Sequence, residues 1–124
     1  MNRLLVAASA ALIFPASLGA QAAQPTVTVA LTSHHYTPSP IVLQAGQPVR
    51  LVFQNRSGKG HDFKAPQFFA ASRIVSGKAP KGEVELDAGE TAEVTLVPAR
   101  GTYPVHCSKF MHSAFGMKSQ IVVR

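Results

Sequence analysis

The feature that most constrains the fold is a series of short β-branched segments separated by turns that contain Gly or Pro. Val27, Val29 and Leu31 alternate with Thr and Ala residues, which is the period-two pattern of a strand with one buried face. Similar runs recur at spacings of about 8 to 12 residues. We predict further strands at residues 41–43, 49–53, 83–86, 91–97, 101–107 and 119–123. This pattern predicts an all-β chain that folds as a Greek-key β-sandwich.

The stretch 66–76 departs from the strand pattern and predicts a helix. It opens with Pro66, a residue that is favoured in the first turn of a helix. The apolar residues that follow at helical spacing are Phe68, Phe69, Ala71 and Ile74. We expect this one short helical insert to pack on one side of the sandwich.

The first 22 residues have the pattern of a secretory signal peptide. Arg3 supplies the positive start, residues 4–18 form an apolar segment, and Ala20-Gln21-Ala22 offers small residues for the peptidase. A membrane anchor is the alternative, but the apolar segment contains Pro15 and is shorter than the roughly 20 residues that span a bilayer. We therefore predict cleavage after Ala22, no membrane anchor after cleavage, and a periplasmic mature domain over residues 23–124.

The size and charge of the mature chain limit its partners. About 100 residues suffice for one compact domain, which we expect to be a monomer. Arg3 is the one charged residue of the predicted leader, so cleavage lowers the net charge from +6 to +5. The basic residues are scattered, without the cluster that nucleic-acid binding requires. A basic surface of this kind favours acidic protein partners.

Cys107 is the only cysteine of the chain, so it forms no internal disulfide. A thiol is at risk in an oxidising compartment, and metal binding would protect it. The same segment supplies His112 and Met117 in the spacing C-x4-H-x4-M, directly before the last predicted strand. A thiolate, an imidazole and a thioether that binds weakly as the axial ligand form the donor set that favours copper.

A trigonal copper site of this kind needs a second imidazole. His61 follows the predicted strand 49–53 and the loop 55–60, and a sandwich would bring it to the same end as the Cys107 loop. We therefore predict one copper ion that alternates between Cu(I) and Cu(II). Its predicted ligands are His61, Cys107, His112 and Met117.

The segments around these residues resemble a known family. Gly60-His61-Asp62-Phe63 and the loop 107–117 resemble the cupredoxins, the plastocyanin and azurin type of blue copper protein, with a loop spacing similar to that of rusticyanin. The resemblance implies that Cys107 is the equatorial thiolate, that His61 and His112 are equatorial imidazoles, and that Met117 is the axial thioether.

Two features depart from the usual cupredoxin pattern. Many cupredoxins have Asn where this chain has Asp62, which changes the hydrogen bond expected between the two ligand loops. A carboxylate at this position would also lower the reduction potential. The helical insert at 66–76 is the second departure, and the sequence also resembles cupredoxin-like proteins that accompany metal-uptake systems.

Two residues near the predicted ligands have alternative roles. Met111 competes with Met117 as the thioether, although Met117 directly precedes the final strand, as an axial ligand should. His106 precedes Cys107 on a predicted strand, so its side chain should point to the opposite face and act at the surface or behind the ligands.

The remaining histidines and aromatics of interest lie in two places. His34 and His35 are adjacent near a strand end, and they are either an ordinary exposed pair or a weak second metal site. Phe110 and Phe115 flank His112. Their packing would also form an apolar collar that excludes water.

These observations predict a single-electron carrier with a transient redox partner protein. A copper-binding, delivery or resistance protein with the same ligands is the main alternative, and its partner would be a copper-transfer protein. An accessory module of an oxidase or iron-uptake system is a third possibility. We do not expect an enzyme, because two histidines, a cysteine and a methionine leave no open coordination position.

Overall fold

The computed structural model describes residues 9–15, 24–109 and 117–124. The strands are β1 (Thr26–Leu31), β2 (Tyr36–Thr37), β3 (Ile41–Leu43), β4 (Val49–Asn55), β5 (His61–Lys64), β6 (Arg73–Ser76), β7 (Glu83–Leu86), β8 (Thr91–Val97), β9 (Gly101–His106) and β10 (Lys118–Val123). One helix, α1 (Pro66–Ala71), follows β5, and a 3-10 turn (Pro80–Gly82) precedes β7. Within the described ranges, no helix has the length and apolar character needed to cross a membrane.

The strands form two five-stranded sheets, which confirms the predicted all-β sandwich. One sheet has the order β2-β1-β4-β8-β6, and the other has the order β3-β10-β9-β5-β7. Two pairs, β1 with β4 and β3 with β10, are parallel. The chain crosses from one sheet to the other at every connection from β2–β3 to β8–β9. These crossings are typical of Greek-key sandwiches, and they bring β5 beside the strand that leads to Cys107.

Aromatic rings fill the core between the sheets. Phe53 on β4 and Phe63 on β5 are fully buried, and their ring centroids are 4.8 Å apart. The edge of Tyr36 packs against Phe63 at 5.5 Å, and Phe69 of α1 packs against Phe63 at 6.2 Å. Because such pairs add about 0.5–1.5 kcal/mol beyond the buried area, Phe63 couples the strand that carries His61 to the opposite sheet.

The predicted helix is correct in its first half and wrong in its second. The helix begins at Pro66 but ends at Ala71, where Ser72 turns to an extended conformation and its hydroxyl donates to the Phe68 carbonyl at 2.7 Å. Ile74 and Val75 belong to β6, which pairs with the edge of β8. Adjacent β-branched residues favour a strand, and a free strand edge on β8 provides its partner.

Replacement of Phe53 tests the aromatic core. Phe53→Ala should lower the free energy of unfolding by about 3–5 kcal/mol, because it removes a fully buried ring and leaves a cavity between the sheets. Urea unfolding of the mature domain measures the loss. Phe53→Leu keeps most of the volume and should cost clearly less; equal losses for the two variants would show that the ring does not fill the core as described.

Candidate metal centre

Cys107 and Met117 are placed together by the last two strands. β9 ends at His106, one residue before the end of the predicted strand, and β10 begins at Lys118. His106 and Lys118 are paired in antiparallel register. Cys107 directly follows His106 and Met117 directly precedes Lys118, so the two residues lie side by side. The Cys107 N–H donates to the Met117 carbonyl at 3.0 Å, and both side chains are fully buried.

His61 reaches the same place from the neighbouring strand. It is the first residue of β5, which lies between β9 and β7. Its Nδ1 lies 3.9 Å from the Cys107 Sγ, although 46 residues separate the two in the chain. His61 is 1% exposed, so imidazole and thiol face each other in the interior. The sandwich thus brings together three of the four predicted ligands.

The distance between these donors fits a shared metal ion. Metal bonds of about 2.3 Å to sulfur and 2.0 Å to imidazole nitrogen, separated by an angle near 120–130°, would place the two donors roughly 3.7–3.9 Å apart. The Sγ to Nδ1 distance of 3.9 Å matches this value. The thioether of Met117 completes a soft donor set that suits copper.

The fourth predicted ligand, His112, lies outside the described residues. The same holds for Met111, Phe110 and Phe115, because the described part of the chain omits residues 110–116. The ligand roles of His61, Cys107, His112 and Met117, the choice between the two methionines and the apolar collar remain predictions. The Met117 side chain is fully buried, and its backbone carbonyl accepts the Cys107 N–H.

Asp62 connects the two ligand segments. Its Oδ1 accepts the Ser108 N–H at 2.6 Å, and the Ser108 hydroxyl donates to its Oδ2. Asp62 is fully buried and directly follows His61, as Ser108 follows Cys107. The carboxylate therefore makes two hydrogen bonds across the site. Asp62 in place of Asn predicts a changed hydrogen bond here, and the carboxylate still links the two segments.

Burial and hydrogen bonding shift the ionisation of the thiol and the carboxylate. Burial raises the pKa of the Cys107 thiol, and hydrogen bonds from the Asp62 and Lys109 backbones oppose this rise. Burial would likewise raise the pKa of Asp62, but hydrogen bonds with Glu83 and Ser108 outweigh it and hold that pKa below its ordinary value. Asp62 is therefore the charged partner of the link.

Two further carboxyl groups lie beside Asp62. Oxygen atoms of Asp62, Glu83 and Glu85 lie within 4.8 Å of one another. A hydrogen bond with Asp62, burial and the negative charges of Asp62 and Glu85 raise the pKa of Glu83 to about 7 from 4.5, while Lys64 opposes the rise. Lys109 forms an ion pair with Glu85 at 3.1 Å. Glu83 therefore stays protonated in mildly acidic solution and donates a hydrogen bond to the Asp62 carboxylate.

Comparisons with known proteins identify the family to which this fold belongs. The sequence model of the cupredoxin-like domain family matches residues 4–123. Plastocyanin A/B of Petroselinum crispum is 31% identical over 88 residues, which cover 71% of this chain and 86% of that protein. The chain therefore belongs to the cupredoxins, a family of electron-transfer proteins whose cofactor is copper. The predicted family and cofactor are confirmed.

Solved structures support the fold at lower identity. Auracyanin B is 24% identical, with a TM-score of 0.59 over 81% of this chain and 88% of that chain. Reduced auracyanin from the photosynthetic bacterium Roseiflexus castenholzii is 20% identical, with a TM-score of 0.61 over 83% and 99%. A multicopper oxidase from Campylobacter jejuni is 12% identical, with a TM-score of 0.63 over 90% of this chain and 32% of that chain.

The other histidines take separate positions. His106 is half-buried and borders a surface groove with Pro40 and Lys118. His34 and His35 are exposed between β1 and β2. His34 lines a cleft that reaches His61. No sequence pattern marks the contributions of Ser108 and Glu83, because their contacts with Asp62 depend on the approach of distant segments.

The Asp62 link can be tested by two substitutions. Asp62→Ala should lower the free energy of unfolding of the copper-free protein by about 1.5–3 kcal/mol, because the Ser108 N–H and hydroxyl lose a charged acceptor. Asp62→Asn retains an acceptor oxygen and should cost less. Urea unfolding compares the two, and equal losses would contradict a stabilising role for this hydrogen bond.

Glu83 predicts a pH dependence of stability. Between pH 4.5 and about 7 the folded chain holds the Glu83 proton and the unfolded chain has lost it. The folded state then binds more protons, so the free energy of unfolding falls as the pH rises through this window. Urea unfolding of the copper-free protein across the window should show this slope. Glu83→Gln should reduce it, whereas the control Glu90→Gln, at an exposed glutamate outside this carboxyl cluster, should retain it; an unchanged slope in Glu83→Gln would contradict the assignment.

Proposed function

We propose that the mature domain is a periplasmic single-electron carrier that holds one copper ion through His61, Cys107, His112 and Met117. The observation that supports this most directly is the buried pair of His61 Nδ1 and Cys107 Sγ at 3.9 Å. Imidazole, thiolate and thioether donors together are typical of blue-copper electron-transfer sites. When bound, copper supplies the redox chemistry by gaining or losing one electron.

The protein contributes a rigid and dry surrounding for the ion. Cys107, Met117 and His61 lie at the ends of strands and are at most 1% exposed. The Cys107 N–H to Met117 bond and the Asp62 link to Ser108 fix two of these segments. Donors held in this way move little between the two oxidation states, which keeps electron transfer fast. Hydrogen bonds made by residues around the ligands also tune the reduction potential of the bound copper.

The proposed cellular setting follows from the leader and the charge. Cleavage after Ala22 would release residues 23–124 into the periplasm without an anchor. The mature net charge of +5, once Arg3 is removed from a total of +6, suits an acidic redox partner that binds transiently. A complete set of four protein ligands leaves no coordination position for a substrate, so we propose no enzymatic activity.

The visible and electron paramagnetic resonance spectra of the mature protein with one equivalent of Cu(II) test this function. An intense orange-red absorption band from thiolate-to-copper charge transfer, absent in Cys107→Ser, is the expected result. A colourless protein that binds copper would favour copper delivery or storage instead. A protein that binds no copper would overturn the proposed site.

The two methionines can be separated by their effect on the reduction potential. Met117→Leu should keep copper and the intense band but raise the potential, because the weak axial donor that favours Cu(II) is lost. Met111→Leu is the matched control and should leave the potential unchanged. Voltammetry of both variants measures the shift, and the opposite pattern would assign the axial position to Met111.

A further inference from the structure

A cleft opens at the surface in front of His61. It lies between the β1–β2 connection and the β4–β5 loop and has a volume of about 320 Å³. Its lining residues are Ser33, His34, Ser57, Gly58, Lys59 and His61. His34 is exposed and His61 is 1% exposed, so the cleft extends from a surface imidazole to a buried one.

This position matters because the described donors are closed to solvent. Cys107 and Met117 are fully buried, so copper would have to enter through an opening that borders one of the predicted ligands. Three other clefts bordered by described residues lie beside β10, β3 and β7, and none is lined by His61, Cys107 or Met117. The cleft at His34 does reach a predicted ligand.

Hydrogen bonds hold both walls of the cleft in place. Asn55 is 2% exposed, and its amide donates to the Lys59, Leu86 and Asp87 carbonyls at 2.7, 3.1 and 3.0 Å. Its Oδ1 accepts the Ser57 N–H at 3.0 Å and the Ser57 hydroxyl at 2.8 Å. On the other wall, the Thr32 N–H donates to the His35 carbonyl at 3.0 Å. The cleft is thus a preformed feature of the fold.

The chemistry of the lining suits a metal ion in transit. Imidazole binds copper well, and His34 offers it at the exposed end while His61 offers it at the buried end. Lys59 has the opposite effect, because its ammonium group repels a free cation. An ion that crosses this cleft therefore depends on His34 to hold it against that repulsion.

We propose that this cleft is the loading route of the site and that His34 binds copper transiently before it reaches His61. The inference rests on the proposed function, since it requires that His61 be a copper ligand. His34 would be a transfer residue and no part of the final ligand set. It should therefore change the rates of copper uptake and release by the same factor and leave the affinity and the final spectrum unchanged.

Stopped-flow mixing of the copper-free mature protein with Cu(II) tests this route. The growth of the orange-red band reports uptake, and its decay in excess chelator reports release. His34→Gln should slow both about tenfold, the effect of losing one modest stabilising contact in the rate-limiting step. His35→Gln is the matched control, because His35 is an adjacent exposed histidine that does not line the cleft. Lys59→Gln should speed the uptake of free Cu(II).

The outcomes separate this inference from the proposed function. If His34→Gln and His35→Gln load as fast as the wild type, copper enters elsewhere and the inference fails while the proposed site stands. If His34→Gln alters the final spectrum, His34 is a permanent ligand and the transient role is wrong. If the wild-type protein forms no band, the proposed function itself fails.

Discussion

The hydrogen bonds between Asp62 and Ser108 join the two segments that carry His61 and Cys107 in the candidate metal centre. β5 and β9 share a single register pair, Lys64 with His106, so the backbone ladder between them ends before it reaches the ligands. The carboxylate spans this gap with two hydrogen bonds, one to a backbone N–H and one to a hydroxyl. A side chain thus replaces the missing ladder at the point where His61 and Cys107 must be held 3.9 Å apart.

A buried carboxylate at this position needs compensation for its charge. Protonated Glu83 provides this compensation through its hydrogen bond with the Asp62 carboxylate. Lys109 forms an ion pair with Glu85 on the exposed side of the three carboxyl groups. On the core side, the buried Tyr36 hydroxyl donates to the backbone carbonyl of Asp62 at 2.7 Å. The hydrogen bonds around Asp62 therefore set both the positions of the candidate donors and the charges near them, so a substitution in this network would alter both properties.

Local sequence patterns predicted the sandwich, because a strand with one buried face shows apolar residues at every second position. The segments 41–43, 83–86 and 91–97 match the observed β3, β7 and β8 in full. The two-residue strand β2 is too short to show any period. The prediction of one helix over 66–76 is wrong in its second half because β6 takes its conformation from pairing with β8, which the local sequence does not show. The sequence could single out Cys107 and Met117 as candidate donors, because both are chemically distinctive and stand beside a predicted strand.

The contacts between segments could not be predicted in the same way. Asn55 is an ordinary loop residue in the sequence, yet its amide joins three carbonyls from two segments, 30 or more residues apart in two of the three cases. Such bonds depend on the tertiary approach of the strands, which no local pattern records. The Asn55 hydrogen bonds also explain how the proposed copper route at His34 can exist beside buried donors. Because Asn55 fixes the β4–β5 loop without help from the ligands, the cleft at His34 keeps its shape while the donors behind it stay buried.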